Sequence, residues 1–208
     1  MKEIGGYFGL EELPGKEYHS AAIACNCGRS CLSLLLQGKQ GMRLYLPYYN
    51  CDVVYDTCVR MCADIRQYHV DENFLPKIRD YDGGIVYVVN YYGILSDTEL
   101  ESFAQHYEHM IIDNSHDFYS KAVSYADSFN TCRKFFGVPD GAYVYSRKIL
   151  KEPSKRSKVL GRMNSLVGRI EDGASPHYKE FQENDEKFDD EGVLGMSQFS
   201  HNILRAID

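Results

Sequence analysis

The sequence predicts an α/β fold built on a mostly parallel sheet, and three observations carry that expectation. Helix-period and strand-period segments alternate from about residue 28 to residue 113. The stretch Gly84-Ile85-Val86-Tyr87-Val88-Val89-Asn90 is near-continuously apolar, as strands covered on both faces are. With 208 residues, 44% hydrophobic and 25% charged, the chain is long enough for one substantial core and too short for three domains. In open sheets of this kind ligands bind beyond the carboxyl ends of the strands.

Taken in order, residues 28 to 37 carry apolar side chains on one helical face, and Arg43 to Pro47 reads as a short strand stopped by proline. Val53 to Ala63 suits a second helix, Ile65 to Val70 a strand, and Gly84 to Asn90 the buried strand. Asp97-Thr98-Glu99-Leu100 opens a helix predicted to run to His109, and Met110-Ile111-Ile112 forms a strand that delivers Asp113 at its end. Another strand is expected around Tyr125 to Phe129.

The composition then shifts near residue 147. From Arg147 to Arg169 there are eight basic residues and one acidic, and from Glu171 to Glu191 nine acidic and two basic. Val159, Leu160, Met163, Leu166, Val167 and Ile170 recur at helical spacing, so the basic run reads as the solvated face of a long packing helix. Gly173-Ala174-Ser175-Pro176 breaks it, Tyr178 to Phe188 reads as a polar helix, and Met196 to Ile207 as a final amphipathic one.

The formal charge of −7 argues against a broad nucleic-acid or anionic-membrane surface. Apolar runs are only strand-sized, and Met1 to Tyr7 has no secretory pattern, so the expectation is a cytoplasmic chain. The seven cysteines are then expected as thiols. Cys25 and Cys27 form no CxxC and no second Cys/His pair completes a tetrahedral set, so the spacing points to no metal site.

The chemistry-bearing stretch runs from Ile111 to Ala142. Asp113, followed by Asn114, Ser115 and His116, sits at a strand end, where it reads equally as a helix N-cap. Lys134 lies between Thr131-Cys132-Arg133 and Phe135-Phe136-Gly137-Val138-Pro139-Asp140-Gly141. It is either a surface lysine or an amine desolvated by that setting, which would make it a Schiff-base candidate. Cys25-Asn26-Cys27-Gly28-Arg29-Ser30 precedes the first helix, and free amides at such an end form an anion site.

In these motifs the chain resembles the DegT/StrS family of pyridoxal-phosphate-dependent, fold-type I aminotransferases, best known for aminating keto sugars attached to nucleotides. In that family a strand ends in Asp with Gln three residues on, and a later lysine is followed six, seven and eight residues on by an acidic residue and two glycines. Asp113 with His116, and Lys134 with Asp140, Gly141 and Ala142, keep those spacings. The resemblance implies that Lys134 carries pyridoxal 5'-phosphate as an internal aldimine, that Asp113 pairs with the pyridinium nitrogen, and that His116 replaces the Gln beside the phenolic oxygen. It implies that Gly28, Arg29 and Ser30 hold the phosphate, with Arg29 standing where the family has Thr.

Pro47-Tyr48-Tyr49-Asn50-Cys51 resembles the segment whose aromatic ring stacks on the cofactor. In register that position is Cys51, so the stacking role stays unassigned between Tyr48 and Tyr49. Asn90-Tyr91-Tyr92-Gly93 and Thr131 match family positions more loosely.

The resemblance implies a three-layer α/β/α large domain over residues 1–150. Residues 151–208 would form an interdomain helix and the beginning of a C-terminal helical small domain, cut short because family members run to roughly twice this length. The implied activity is amination of a nucleotide-linked keto sugar by an amino donor, in a homodimer that touches neither nucleic acid nor membrane. The alternative is a truncated, non-catalytic remnant that binds cofactor or a partner without turnover. Loss of a closing domain is expected to expose apolar surface between Val159 and Ile170.

Overall fold

The computed structural model describes residues 5–61 and 64–207. The last positions of the helix expected over Val53 to Ala63, including Cys62, lie outside the described residues, as do Met1 to Ile4 of the opening segment.

Eight strands form one sheet: β1 (Ile23–Cys25), β2 (Arg43–Pro47), β3 (Asp64–Val70), β4 (Pro76–Lys77), β5 (Ile85–Val89), β6 (His109–Asn114), β7 (Asp127–Thr131) and β8 (Ala142–Tyr145). Their order is β1-β8-β7-β6-β5-β2-β3-β4. From β3 through β2, β5 and β6 to β7 all pairings are parallel, while β4, β8 and β1 join antiparallel. The fold is therefore the mostly parallel α/β sheet that the sequence predicts.

The apolar run in β5 shows why. Ile85, Tyr87 and Val89 enter one core with Leu32, Leu35 and Leu36 of α1 (Gly28–Leu36) and with Val54 of α2 (Asp52–Met61). Val86 and Val88 enter another with Leu100 and Ala104 of α3 (Asp97–Ala104). Alternate side chains thus bury on opposite faces, which makes three layers and explains why the strand has no polar face. α3 starts at the expected cap: Ser96 Oγ accepts from the Glu99 amide and Glu99 reaches back to the Ser96 amide.

Boundaries differ where a local pattern was read too far. α3 ends at Ala104 instead of His109, because His109 already pairs with Ile85 as the first residue of β6. The strand expected around Tyr125 to Phe129 lies two residues later, where Asp127 pairs with Ile111.

The basic segment departs most from expectation. In place of one long helix over Val159 to Ile170 there is a 3-10 turn, Leu160–Arg162, followed by α4 (Asn164–Glu171). The long helix is the acidic one, α5 (Ala174–Glu191). Ser175 and Pro176 lie in its first turn, where a missing N–H costs no hydrogen bond. The last helix is α6 (Gln198–Leu204), shorter than Met196 to Ile207.

Burial in this segment follows the apolar stripe only in part, Val159 being buried and Met163 and Leu166 half-buried. Leu160 and Ile170 are 91% and 83% exposed, whereas Arg162, Ser165 and Gly168 are buried. A Cβ at Gly168 would run into the His177 ring of α5, so glycine here is what lets the two helices approach.

The C-terminal segment packs onto the sheet. Met196 and Leu204 share a core with Phe118, Val138 and Tyr143, and Gly195 bridges to Cys25 of β1. Asp140, fully buried, accepts from the Ser197 amide at 2.9 Å and its hydroxyl at 2.7 Å, and from the Ser200 hydroxyl, tying the loop before β8 to the start of α6. No helix among the described residues is long and apolar enough to cross a membrane.

Candidate cofactor site at the strand ends

The chain leaves β2 outward to β3 and β4, then returns to place β5 on the other side of β2. That reversal opens a crevice at the carboxyl ends of the strands. Because β8 runs against β7 and β1 against β8, β1 ends at the same edge and delivers the N-terminus of α1 there. A cavity of about 410 Å³ occupies the crevice. Its wall includes Cys27, Gly28 and Arg29, then Tyr49 to Cys51 after β2, Tyr91 after β5, Asp113, Ser115 and His116 at the end of β6, and Thr131, Arg133 and Lys134 at the end of β7.

Asp113 is the buried floor. Its Oδ2 accepts from the Tyr87 hydroxyl at 2.5 Å and its Oδ1 from the Ser115 amide at 2.8 Å. Each oxygen keeps a second lone pair. No helix follows β6 directly, so the N-cap reading of Asp113 is set aside. Tyr87 went unnoticed in the sequence. Its signal was a single phenol in an otherwise aliphatic strand, in register beside Ile111, two residues before Asp113. Burial and then the Asp113 charge raise its pKa well above the usual phenol value, so it stays a donor.

His116 is half-buried beside the same wall. The Tyr92 amide donates to His116 Nδ1 at 3.3 Å and the Tyr92 ring stacks on the imidazole at 5.6 Å. The neutral ring therefore carries its proton on Nε2. Tyr92 holds φ +57°, a left-handed conformation uncommon for a bulky residue. Burial, then the positive charge of Lys134, lower the His116 pKa, and Asp113 partly opposes them.

Lys134 sits on the turn after β7, between hydrogen bonds from the Phe135 and Phe136 amides to the Cys132 carbonyl. It is exposed, and its side chain has no hydrogen bond or ion pair among the described residues. The desolvated setting expected from the flanking phenylalanines is absent, because Phe136 turns into the core with Phe118 while Phe135 stays exposed.

At the start of α1 the three expected residues part company. Gly28 borders the cavity, and a Cβ there would stand 3.3 Å from the Phe129 ring, so a side chain would press on the cavity wall. The Arg29 guanidinium turns to α5, meeting Asp185 at 2.7 Å and Asp189 at 2.8 Å. The Ser30 hydroxyl is buried and donates to Asn26 Oδ1 at 2.6 Å, so Ser30 does not line the cavity and offers it no hydroxyl. Cys51 is exposed on the wall, and Tyr49 stacks on Tyr91 at 5.2 Å.

Sequence reasoning missed α5 at this site. Asp185 lines the cavity and also pairs with Arg133. Burial pushes the Asp185 carboxyl up, but Arg133 and then Arg29 outweigh it and hold the group below the ordinary carboxylate range. Among the described residues no group of three or more His, Cys, Asp or Glu side chains is placed to hold a metal.

No protein-family model matches the chain, and no curated protein sequence does. Solved structures do. DesV of S. venezuelae, in complex with a ketimine intermediate, aligns at a TM-score of 0.55 and 16% identity, over 89% of this chain and 51% of that one. L-threonine-O-3-phosphate decarboxylase from Porphyromonas gingivalis aligns at 0.52 and 13% identity, over 65% and 51%. AtS13 from Actinomadura melliaura aligns at 0.51 and 13%, over 62% and 42%. The chain thus spans about half the length of DesV and of the decarboxylase. At such identities the likeness shows the fold alone: the mostly parallel α/β sheet of this chain is shared with DesV and with the decarboxylase.

Proposed function

We propose that the chain is a pyridoxal-phosphate-dependent aminotransferase-like protein of the DegT/StrS kind, acting on a keto sugar carried by a nucleotide. One observation carries this reading: Asp113, His116, Lys134 and the N-terminus of α1 converge on one cavity at the topological switch of the sheet.

The donor set fits the cofactor. The free first-turn amides of α1 suit the phosphate, with Thr131 beside them. Asp113, with lone pairs to spare, suits the protonated ring nitrogen, and His116 Nε2 can donate to the phenolic oxygen. Lys134 Nζ, unpaired at the rim, is the amine that would hold the aldehyde carbon. Bound there, pyridoxal phosphate supplies an electron sink for bonds to the α-carbon of an amino donor.

The chain's own residues do the rest. Tyr87 and Ser115 orient the Asp113 carboxylate, whose charge keeps the proton on the ring nitrogen. Lys134 Nζ would carry the proton from the donor's α-carbon to the carbon that was the cofactor's aldehyde. Exposed Tyr48, Tyr49, Tyr92 and Ile94 on the loops after β2 and β5 support a homodimer that covers this edge.

The alternative, a protein that binds cofactor without turnover, is favoured by Cys51 at the stacking position and by Ser30 turned away from the cavity. Both readings face one experiment. Purified chain is mixed with pyridoxal phosphate, its visible spectrum recorded, and the complex reduced with borohydride and peptide-mapped. The expected result is a label on Lys134 and a visible band that is absent in Lys134→Ala. No label sinks the cofactor site. A label with no amino transfer to a keto-sugar nucleotide selects the alternative.

A further inference from the structure

Two separate elements must hold still for the proposed site to work: the first turn of α1, with its free amides, and the turn that carries Lys134. They are far apart in sequence and belong to different strand connections. The two functional groups themselves are not tethered, since the Lys134 side chain has no hydrogen bond or ion pair among the described residues and Gly28 has no side chain.

Each element carries an arginine next to its functional group, and both arginines end on α5. Arg29 Nη2 donates to Asp185 Oδ2 at 2.7 Å and Arg29 Nη1 to the Asp185 carbonyl at 3.2 Å. Arg133 Nη1 donates to Asp185 Oδ1. One residue-turn along the helix, buried Phe188 lies under both guanidiniums, 5.8 Å from Arg29 and 4.9 Å from Arg133. Both arginine side chains are mostly buried, at 13% and 15% exposure, so the bridge is shielded from solvent on the arginine side. Arg29 thus holds Asp185 at two points and Arg133 at one.

We propose that Asp185 is a positioning residue, whose carboxylate bridges Arg29 and Arg133 and so sets the separation between the phosphate end of α1 and the turn bearing Lys134. The inference rests on the cofactor reading above for its purpose, and its mechanical content stands on the bridge alone. Asp189 supplies the internal control. It lies on the same helix and pairs with Arg29 at 2.8 Å, and among the described residues it has no hydrogen bond or ion pair to Arg133.

Amide hydrogen exchange on the full, cofactor-free chain compares Asp185→Asn with Asp189→Asn, with thermal unfolding to establish that each folds. Loss of a charged hydrogen bond is expected to speed exchange roughly tenfold. Asp185→Asn should do so in both peptides 28–32 and 131–137, and Asp189→Asn in the first only. Should Asp185→Asn fail to fold, Arg133→Gln removes the charged hydrogen bond to Asp185 and is read against the same expectation for 131–137. Unchanged exchange over 131–137 overturns the proposal, as does the same pattern in both aspartate variants.

A second measurement separates this idea from the cofactor reading. If the wild type is labelled at Lys134, Asp185→Asn should bind pyridoxal phosphate about tenfold more weakly, by the same lost hydrogen bond, and Asp189→Asn within about twofold. Equal affinity in Asp185→Asn overturns the positioning role. No label in the wild type overturns the cofactor reading instead, and the exchange result then decides the bridge.

Discussion

Strand β5 and the segment from Val159 to Ile170 both carry recurrent apolar residues, yet only the first buries all of them, since in the second Val159 is buried and Met163 and Leu166 are half-buried. In β5 every residue from Ile85 to Val89 is buried, because helices lie on both faces of the sheet. In the second segment Leu160, Val167 and Ile170 stay exposed while Arg162, Ser165 and Gly168 turn inward. The difference is the neighbour. α4 has α5 on one side only, and small or hydrogen-bonding residues at that contact let the helices come close, with Asn184 Nδ2 donating to Ser165 Oγ at 3.5 Å. Apolar periodicity reports which residues share a face. It does not report which face finds a partner.

Three substitutions test this contrast, beginning with the largest effect. Ile111→Ala in β6, buried between two helical layers, should cost about 2–5 kcal/mol in chemical denaturation, the range for a buried aliphatic truncation. Arg162→Ala should cost about 2 kcal/mol. It removes a buried guanidinium that pairs with half-buried Glu191 at 2.5 Å and covers Phe188 at 4.2 Å, although the sequence pattern puts it on a solvated face. Ile170→Ser should leave stability within about 0.5 kcal/mol and reduce self-association in light scattering, since its side chain meets solvent. A cost for Ile170→Ser equal to that of Ile111→Ala would erase the contrast.

The smallest effect is electrostatic and lies at the site itself. His116 should titrate by NMR below the ordinary histidine value, owing to burial and then Lys134. Lys134→Ala should raise that value and Asp113→Asn lower it further. The sign follows from linkage. A histidine depressed in the folded state binds fewer protons there than when unfolded, so its contribution is present above about pH 6.5 and lost as pH falls through the folded value. A His116 pKa that does not respond to Lys134→Ala would show that the two groups do not face each other.

The candidate site was legible in proportion to how locally each part is built. Asp113 could be placed because a strand end and its burial follow from three apolar residues and one carboxylate in a row. Gly28 could be placed because a helix N-terminus is a local event. Ser30 could not, since its hydroxyl is claimed by Asn26, one helical turn back, in a contact the sequence does not announce. Arg29 was read for its backbone, and its side chain reaches across the molecule to α5. Tyr87 was hidden by its own strand, where a phenol among aliphatic residues passes for core until its hydroxyl is seen on Asp113. The antiparallel strands β1 and β8 were likewise missed, being too short for period-2 alternation to register.

By itself, then, the sequence determined the α/β class, the parallel strands from β2 to β7 and the strand-end position of Asp113, because these depend on runs of neighbours along the chain. Tertiary structure alone decided that α1, the Lys134 turn and α5 meet, that Asp185 joins two arginines, and that Leu160, Val167 and Ile170 of the basic segment face outward. Those outcomes depend on which surfaces are brought together across separations of 19 to 156 residues, and local pattern carries no record of that choice.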